Sequence, residues 1–183
     1  MTDATSVAGP PGATLPDPSP LQRLLDGKLR PGAVHWIGLR PARHAPMQPV
    51  AEVTLRCEDG VTGDHYHGRS GTRQVSLITR ESLDAIASFL GRDRVGPDEL
   101  RRNLVVAGIN LLALKGRRLR IGDALLEVTG ECHPCSRMEQ ILGPGGYNAV
   151  RGQGGILARV LEPGRVRLGD TILRIELDPT GCY

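Results

Sequence analysis

The sequence contains few aromatic residues: phenylalanine, tryptophan and tyrosine make up 3% of its 183 positions. A hydrophobic core must therefore be built almost wholly from valine, isoleucine, leucine and alanine. This scarcity argues against a single-strand nucleic-acid binder, because such proteins stack bases on aromatic side chains. The formal net charge of +3 is also too small to predict binding along DNA. We therefore expect no nucleic-acid partner.

Long apolar runs are also missing. No stretch approaches the length of a membrane-spanning helix, and the N-terminus lacks the charged and apolar regions of a signal peptide. We therefore expect a cytoplasmic protein without a membrane partner, whose four cysteines are reduced. The Gly-x-Ser-x-Gly, His-Glu-x-x-His and Walker motifs are absent as well. The sequence therefore does not support a serine hydrolase, a zincin or a nucleoside triphosphatase.

The length of the chain suits one domain with a substantial core. Residues 1–20 contain many prolines and no apolar periodicity, which predicts a disordered tail. We expect a single domain over residues 21–178 and a short C-terminal tail over residues 179–183.

Strand patterns dominate the predicted domain, and helix start signals are few. Predicted strands cover Ala33–Leu39, Val50–Leu55 and Gln74–Ile78, and predicted helices cover Leu83–Leu90 and Pro97–Leu100. Arg40–Pro49 contains three prolines and predicts an irregular loop.

A short pattern occurs twice in the second half of the chain. Leu119–Val128 and Val166–Ile175 each predict a strand, a Gly-Asp turn and a second strand, and the copies agree at Arg, Gly, Asp and Leu. Two similar hairpins favour a barrel, since closure removes free strand edges. The predicted fold class is mainly β: a closed or partly open β-barrel with a few short helices.

The segment Gly130–Arg137 places two thiols, an imidazole and a guanidinium between a predicted strand and a predicted helix. The Cys-x-x-Cys spacing of Cys132 and Cys135 has four interpretations. A redox pair needs a βαβ context, structural zinc needs further ligands such as His65 and His67, and a single thiolate acts alone as metal ligand or nucleophile. A buried, unreactive pair is the fourth. The residues alone leave all four open.

Two further segments are typical of anion binding. A glycine-punctuated loop carries one acid and several cations, a composition that favours anion binding or proton handling. Its polar residues are Asp64, His65, His67, Arg69 and Arg73. The glycine-rich stretch 143–155 lets backbone N–H groups approach an anion, with Arg151 and Arg159 as sources of charge. Neither segment matches a P-loop or a dinucleotide fingerprint.

Seven motifs occur in order along the chain. They are Gly63-Asp64-His65, Arg73-Gln-Val-Ser-Leu-Ile78, Arg102-Asn103-Leu-Val-Val106-x-Gly108-x-Asn110, Leu119-x-Ile-Gly122-x-Ala124, Cys132-x-Pro134-Cys135, Gly154-Gly155-x-x-Ala158-Arg159-Val160 and Gly169-Asp170. Together they resemble a MOSC domain, the module similar to the C-terminal part of molybdenum cofactor sulfurases. The resemblance covers roughly Val34 to Ile175, and the ordered combination is far more specific than any single motif.

The resemblance implies a barrel-like MOSC fold that binds molybdenum cofactor, a pterin dithiolene with a phosphate, independently of pyridoxal phosphate. In enzymatic members a cysteine thiolate ligates molybdenum, and the centre reduces N-hydroxylated compounds such as hydroxylamines and amidoximes. That cysteine corresponds to Cys135, and the expected proton donor is His65, His133 or an ordered water. The expected cofactor-binding residues are Arg69, Arg73, Arg102, Asn103, Arg137, Arg151, Gly154, Gly155 and Arg159.

Two partner roles follow from the resemblance. An N-hydroxylated small molecule would be the substrate, and a separate reductase would donate electrons because the chain has no flavin or iron–sulfur signature. The alternative is a non-enzymatic carrier that holds the cofactor, or sulfur as a Cys135 persulfide, for another protein. Because the pterin is labile, we expect that purification can remove it.

Overall fold

The described part of the chain contains eleven strands. The computed structural model describes residues 19–66 and 71–175. The strands are β1 (Gly32–Leu39), β2 (Gln48–Pro49), β3 (Glu52–Arg56), β4 (Gly60–Val61), β5 (Val75–Thr79), β6 (Leu104–Ala107), β7 (Arg118–Ile121), β8 (Ala124–Glu131), β9 (Ile156–Glu162), β10 (Gly164–Arg167) and β11 (Thr171–Ile175).

Seven of these strands close into a barrel in the order β11-β7-β8-β9-β5-β6-β1. The ring closes where β11 pairs with β1, at Gly32 opposite Ile172 and Ala33 opposite Thr171. Neighbours in the ring are antiparallel except β5 and β6, which are parallel. Strand β2 pairs with the end of β1, outside the ring. Strands β10, β3 and β4 form a separate small sheet. The predicted mainly β, closed barrel is therefore confirmed.

Short helices lie outside the barrel. Within the described residues they are α1 (Pro20–Leu25), α2 (Arg80–Phe89), α3 (Pro97–Leu100), α4 (Ser136–Leu142), α5 (Gly146–Val150) and a 3₁₀ turn at Leu111–Leu114. Helices α2 and α3 lie in the crossover that the parallel strands β5 and β6 require. The Thr79 side chain caps α2 by accepting the Ser82 N–H at 3.0 Å. None of the helices in this part of the chain combines the length and apolar character needed to cross a bilayer.

Two aliphatic clusters form the core, as the scarcity of aromatics predicts. Successive residues of β5 belong to different clusters: Leu77 packs inside the barrel, and Ile78 packs with the helices outside it. The outer cluster also contains Ile86 of α2, Met138 of α4 and Val150 of α5. The segment that begins with Cys135 is thus anchored on the barrel wall through α4.

The second predicted Gly-Asp hairpin is wrong. The first copy forms the β7–β8 hairpin, but β10 pairs with β3 while β11 pairs with β7 and β1. The turn between β10 and β11 is held without strand pairing, because the Asp170 carboxylate accepts the Arg167 N–H at 2.7 Å. Gly169 N–H also donates to the carbonyl of Val34, which directs the chain from the small sheet to the barrel. The same local sequence therefore turns the chain in two different settings.

The predicted loop 40–49 and the expected tails can each be compared with the structure in part. The loop 40–49 is irregular as predicted, except that β2 pairs with the end of β1. The expected tails, 1–20 and 179–183, lie outside the described residues apart from Ser19 and Pro20, and Pro20 begins α1. The division into tails and domain therefore stays a prediction.

Candidate functional site

Cys132 and Cys135 lie on the segment that leaves β8 and enters α4. Cys132 is buried, and its N–H donates to the carbonyl of Gly155 at 2.8 Å. Cys135 is exposed and stands at the N-cap of α4. Both are free thiols. One thiol is therefore packed in the protein, and the other is accessible to a bound molecule.

A cavity of about 570 Å³ lies beside Cys135, and we call it the thiol cavity. Arg73, His133 and Cys135 line it, together with the ion pair of Lys115 and Glu131, whose charged atoms are 3.0 Å apart. Its volume falls in the range of small-molecule and cofactor sites. The structure thus brings three of the predicted site residues to one cavity.

Arg102 is the most buried cation of the site, with 7% of its surface exposed. Its Nε donates to the carbonyl of Gly154 at 2.8 Å, and its Nη1 donates to the carbonyl of Leu100 at 2.5 Å. No ion pair in the described part of the chain includes Arg102. The two carbonyls fix the orientation of the guanidinium and leave its charge unneutralised.

Arg102 interacts electrostatically with both thiols. Burial lowers the pKa of Arg102, the thiols of Cys132 and Cys135 oppose this shift, and the positive charges of Arg40 and Arg73 add to it. Three arginines and two thiols are therefore close enough to affect one another. A buried cation without a counter-charge is costly, so this arrangement favours binding of an anion.

Asp64 holds Arg40, one of these three arginines, in place. It is 5% exposed, and its carboxylate accepts five hydrogen bonds of 2.9–3.1 Å: from the backbone N–H groups of Arg40 and Tyr66, from Nε and Nη2 of Arg40, and from Nδ2 of Asn103. Burial acts to raise the pKa of Asp64, but the hydrogen bonds and charge of Arg40 outweigh it and hold the pKa below its ordinary value. Asp64 is therefore ionised at neutral pH and fixes Arg40.

Asn103 connects the barrel to Asp64. Its Oδ1 accepts from the N–H and the hydroxyl of Ser76, at 3.2 and 2.7 Å. Its Nδ2 donates to Asp64 and to the carbonyl of Gly38, at 2.9 and 3.4 Å. Both polar atoms of the side chain are thus bonded within the protein, so Asn103 positions Asp64. Its predicted contact with the cofactor stays a prediction.

The two candidate histidines have different surroundings. His65 is half-buried, and its N–H donates to the carbonyl of Arg40 at 2.7 Å. The Nδ1 atom of His65 is buried and lies 3.4 Å from Asp64 Oδ1 without a hydrogen bond. His133 is exposed and lines the thiol cavity with Cys135. Of the two, His133 has the direct access to that cavity.

A further group of cations surrounds Arg137. Its Nη1 contacts Nδ1 of His44 at 2.8 Å, and the nearby Arg101 donates from Nη1 to the carbonyl of Ala45 at 2.9 Å. The charge of Arg137, then burial and the charges of Arg43 and Arg101, lower the pKa of His44. His44 and Arg101 have φ values of 67° and 56°, the positive values found among the described non-glycine residues. Like charges and disfavoured backbone conformations thus coincide at this end of the site.

Gly154 and Gly155 shape the site through close backbone contacts. A Cβ on Gly154 would collide with the carbonyl oxygen of Cys132, and a Cβ on Gly155 would collide with the carbonyl oxygen of Leu77. Gly155 also has a φ of 82°, which favours glycine. Their absence of side chains lets this segment bond Arg102 on one side and pack against β5 on the other.

The predicted anion-binding glycines of residues 143–148 do bind an anion, but it is a side chain of the protein. The N–H groups of Gly145 and Tyr147 each donate to the carboxylate of Glu139 at 2.8 Å. These backbone hydrogen bonds lower the pKa of Glu139. The turn between α4 and α5 is therefore ordered by Glu139.

Replacing Glu139 with glutamine should loosen this turn. The amide offers one oxygen, so one of the two N–H groups loses its acceptor. We expect faster amide hydrogen exchange at Gly145 and Tyr147 and a lower melting temperature than in the unaltered protein. Glu58→Gln, at an exposed position, is the charge-matched control and should change neither. Unchanged exchange in the Glu139 variant would contradict this role.

Two other predicted residues, Arg151 and Arg159, have different surroundings. Arg159 lies on the outward side of β9 in an ion pair with Glu127 of β8. Arg151 is exposed at the end of α5. Arg69 and His67 lie outside the described residues.

The sequence patterns do not predict Arg40, His44 or Arg101 as site residues. Arg40 and His44 follow β1 in the proline-containing loop, whose sequence predicts only irregular structure. Arg101 precedes Arg102 and ends α3 in a left-handed conformation. The available signal was the position of Arg40 directly after a predicted strand, where functional side chains often lie.

The structural-zinc interpretation gains no support in the residues that the structure describes. Between 19–66 and 71–175, no group of three or more His, Cys, Asp and Glu side chains is arranged to hold a metal ion. A site in which Cys135 alone provides a protein ligand does not require such a group.

Comparisons with known proteins agree with the barrel. The structure is similar to YuaD from Bacillus subtilis, with a TM-score of 0.70 and 22% identity over 78% of this chain and 94% of that one. It is also similar to YiiM from Geobacillus stearothermophilus, with a TM-score of 0.65 and 18% identity over 82% and 78% of the two chains. YiiM from Escherichia coli gives a TM-score of 0.62 and 20% identity over 79% and 70%. None of the curated proteins matches the chain.

The family comparison covers most of the barrel and the candidate site. Residues 62–173 match the MOSC domain, a range that includes Asp64, Arg102 and Cys135. Because this range is more than half of the chain, the protein belongs to the MOSC domain family.

Proposed function

We propose that this protein binds molybdenum cofactor and reduces N-hydroxylated compounds. The observation that carries the proposal is the buried guanidinium of Arg102, which has no carboxylate partner among residues 19–66 and 71–175 and interacts electrostatically with Cys132 and Cys135. A bound anion beside the thiols would supply the missing counter-charge. Membership of the MOSC domain family supports this proposal, since MOSC domains are associated with that cofactor.

The residues present fit the chemistry of the cofactor. Guanidinium groups are suited to its phosphate and polar edges, and we assign this role to Arg40, Arg73 and Arg102. A thiolate is a suitable soft ligand for its metal, and Cys135 is the exposed thiol of the pair. When bound, the cofactor supplies the two electrons that break the N–O bond.

Side chains of this protein would deliver protons and hold the reacting groups in position. Conversion of an N–OH group to N–H consumes two electrons and two protons and releases water. We assign delivery of a proton to the departing oxygen to His133, because it lines the thiol cavity with Cys135. We assign a positioning role to His65, because its backbone N–H donates to the carbonyl of Arg40 and helps to hold that residue at the site. The electrons come from a separate reductase, and the reducing cytoplasm keeps the thiols free.

Metal, pterin and turnover measurements on one preparation test the proposal. The protein is made in cells that synthesise the cofactor, and benzamidoxime is offered with a chemical electron donor. Stoichiometric molybdenum and pterin together with turnover to benzamidine are expected. Transferable sulfur on Cys135 without molybdenum or turnover would overturn the proposal and identify a carrier.

Substituting Arg102 with lysine should weaken cofactor retention. Lysine keeps the charge but lacks the bidentate donor geometry of a guanidinium. It therefore loses one of the hydrogen bonds to the carbonyls of Gly154 and Leu100. We expect at least a roughly tenfold loss of bound pterin per protein on dialysis, the size of a charge-assisted hydrogen bond. Arg159→Lys is the matched control, because Arg159 is ion-paired with Glu127 on the barrel exterior, and it should retain the pterin. Equal retention by both variants would exclude Arg102 from the cofactor site.

A further inference from the structure

A second cavity, of about 580 Å³, lies at the carboxyl ends of the parallel strands β5 and β6. We call it the Glu81 cavity. Thr79, Glu81, Asn110 and Gln153 provide polar groups to its lining, and Ile109 and Leu111 provide apolar surface. It shares no lining residue with the thiol cavity. In open α/β sheets, ligands commonly bind at the carboxyl ends of parallel strands, and β5 and β6 are the one parallel pair among the described strands of this barrel.

The charge of this cavity is opposite to that of the thiol cavity. Glu81 is its one ionisable side chain among the described residues. In the thiol cavity, Lys115 is ion-paired with Glu131, and Arg73 adds a positive charge that no lining carboxylate balances. Glu81 lies in the first turn of α2, whose positive end amounts to about half an elementary charge. The full negative charge of the carboxylate exceeds that half-charge. The Glu81 cavity therefore favours a cation.

Hydrogen bonds fix the walls of the cavity. Glu81 Oε1 accepts the N–H of Gly108 at 2.8 Å, and Asn110 Oδ1 accepts the N–H of Leu112 at 3.1 Å. The opposite wall belongs to the segment 152–155, which is held from behind by Arg102 and Cys132 through the carbonyls of Gly154 and Gly155. A preformed cavity binds a ligand without a large ordering cost.

We propose that the Glu81 cavity binds a small organic cation with N–H donors on an apolar body, such as an amidine or a guanidine. Oε2 of Glu81 has no hydrogen bond to any other described residue and is available to such a donor. The side-chain carbonyl of Gln153 provides a second acceptor, and Ile109, Leu111 and Leu112 contact the apolar body. This inference does not depend on cofactor binding or on reduction at Cys135.

Titration of the full chain with benzamidine, followed by amide NMR, tests the proposal. We expect saturable shifts at Glu81, Gly108 and Gln153. Glu81→Gln should weaken binding at least about tenfold, because it replaces a charge-assisted hydrogen bond with a neutral one while keeping an acceptor for Gly108. Asp84→Asn removes the same charge from an exposed position of α2 and should bind benzamidine as the unaltered protein does.

Ligands of different charge give a second measurement on the unaltered protein. Benzamide has a similar size without the charge, and benzoate reverses it, so both should bind at least about tenfold more weakly than benzamidine. The absence of saturable shifts at the cavity would overturn the proposal. Equal affinity of the Glu81→Gln variant, or binding of benzoate as tight as that of benzamidine, would overturn it as well.

Discussion

Replacing Cys135 with serine is expected to reduce turnover of N-hydroxylated compounds at least about 100-fold, because a hydroxyl is a hard ligand that stays protonated at neutral pH. The fold should be unaffected. Cys135 is exposed and stands at the N-cap of α4 without a side-chain capping bond, and serine is a preferred residue at that position. The measurement compares benzamidoxime turnover per bound pterin in the two proteins. Equal melting temperatures would exclude unfolding as the cause of any loss.

Cys57 provides the matched control for this substitution. It is also an exposed free thiol, but it lies after β3, where its Sγ contacts the carbonyl of Leu161 at 3.4 Å. Cys57→Ser should retain full turnover. Substantial activity in the Cys135 variant would remove that thiol from the chemistry, whereas loss of activity in both variants would point to a general effect of thiol removal.

The barrel was predictable from the sequence because local and global signals agree there. The strand pattern of Ala33–Leu39 and the capping threonine before α2 lead to the elements observed. The second Gly-Asp turn was not predictable in the same way. Its residues specify a turn, but the partner of each following strand is chosen by contacts far along the chain, such as those of Asp170 and Gly169 with β1.

The candidate site was predictable where one short segment carries several reactive groups. The exposed Cys135, with His133 beside it, is such a case, and the Arg102-Asn103 pair was found through the family resemblance. Arg40 was missed because its importance depends on Asp64, which is 24 residues away and becomes a partner only in the folded barrel. The glycines near residue 145 were predicted to bind an external anion because sequence alone does not show that Glu139 occupies their N–H groups.

Replacing Asp64 with asparagine is expected to lower the free energy of unfolding by about 3 kcal/mol, the lower end of the cost of breaking a buried ion pair. The carboxylate is almost fully buried, whereas the side chain of Arg40 keeps 17% exposure, which allows some hydration of the uncompensated guanidinium. The asparagine amide would also place donor hydrogens against the donors of Arg40, Tyr66 or Asn103. Urea unfolding at neutral pH measures the difference.

Glu52→Gln is the control, since it removes the same charge from a half-exposed pair with Arg167 and should cost less than about 1 kcal/mol. A pH series then separates ionisation from packing. The pKa of Asp64 is lowered on folding, so its contribution is complete above the unfolded-state value of about 3.9 and is lost as the pH falls through the folded-state value. The difference between the unaltered protein and Asp64→Asn should therefore narrow in acid. If the difference in free energy of unfolding stays constant down to the acid transition, the effect comes from side-chain shape and not from ionisation. If the difference at neutral pH is no larger than that of Glu52→Gln, Asp64 does not hold Arg40 in place.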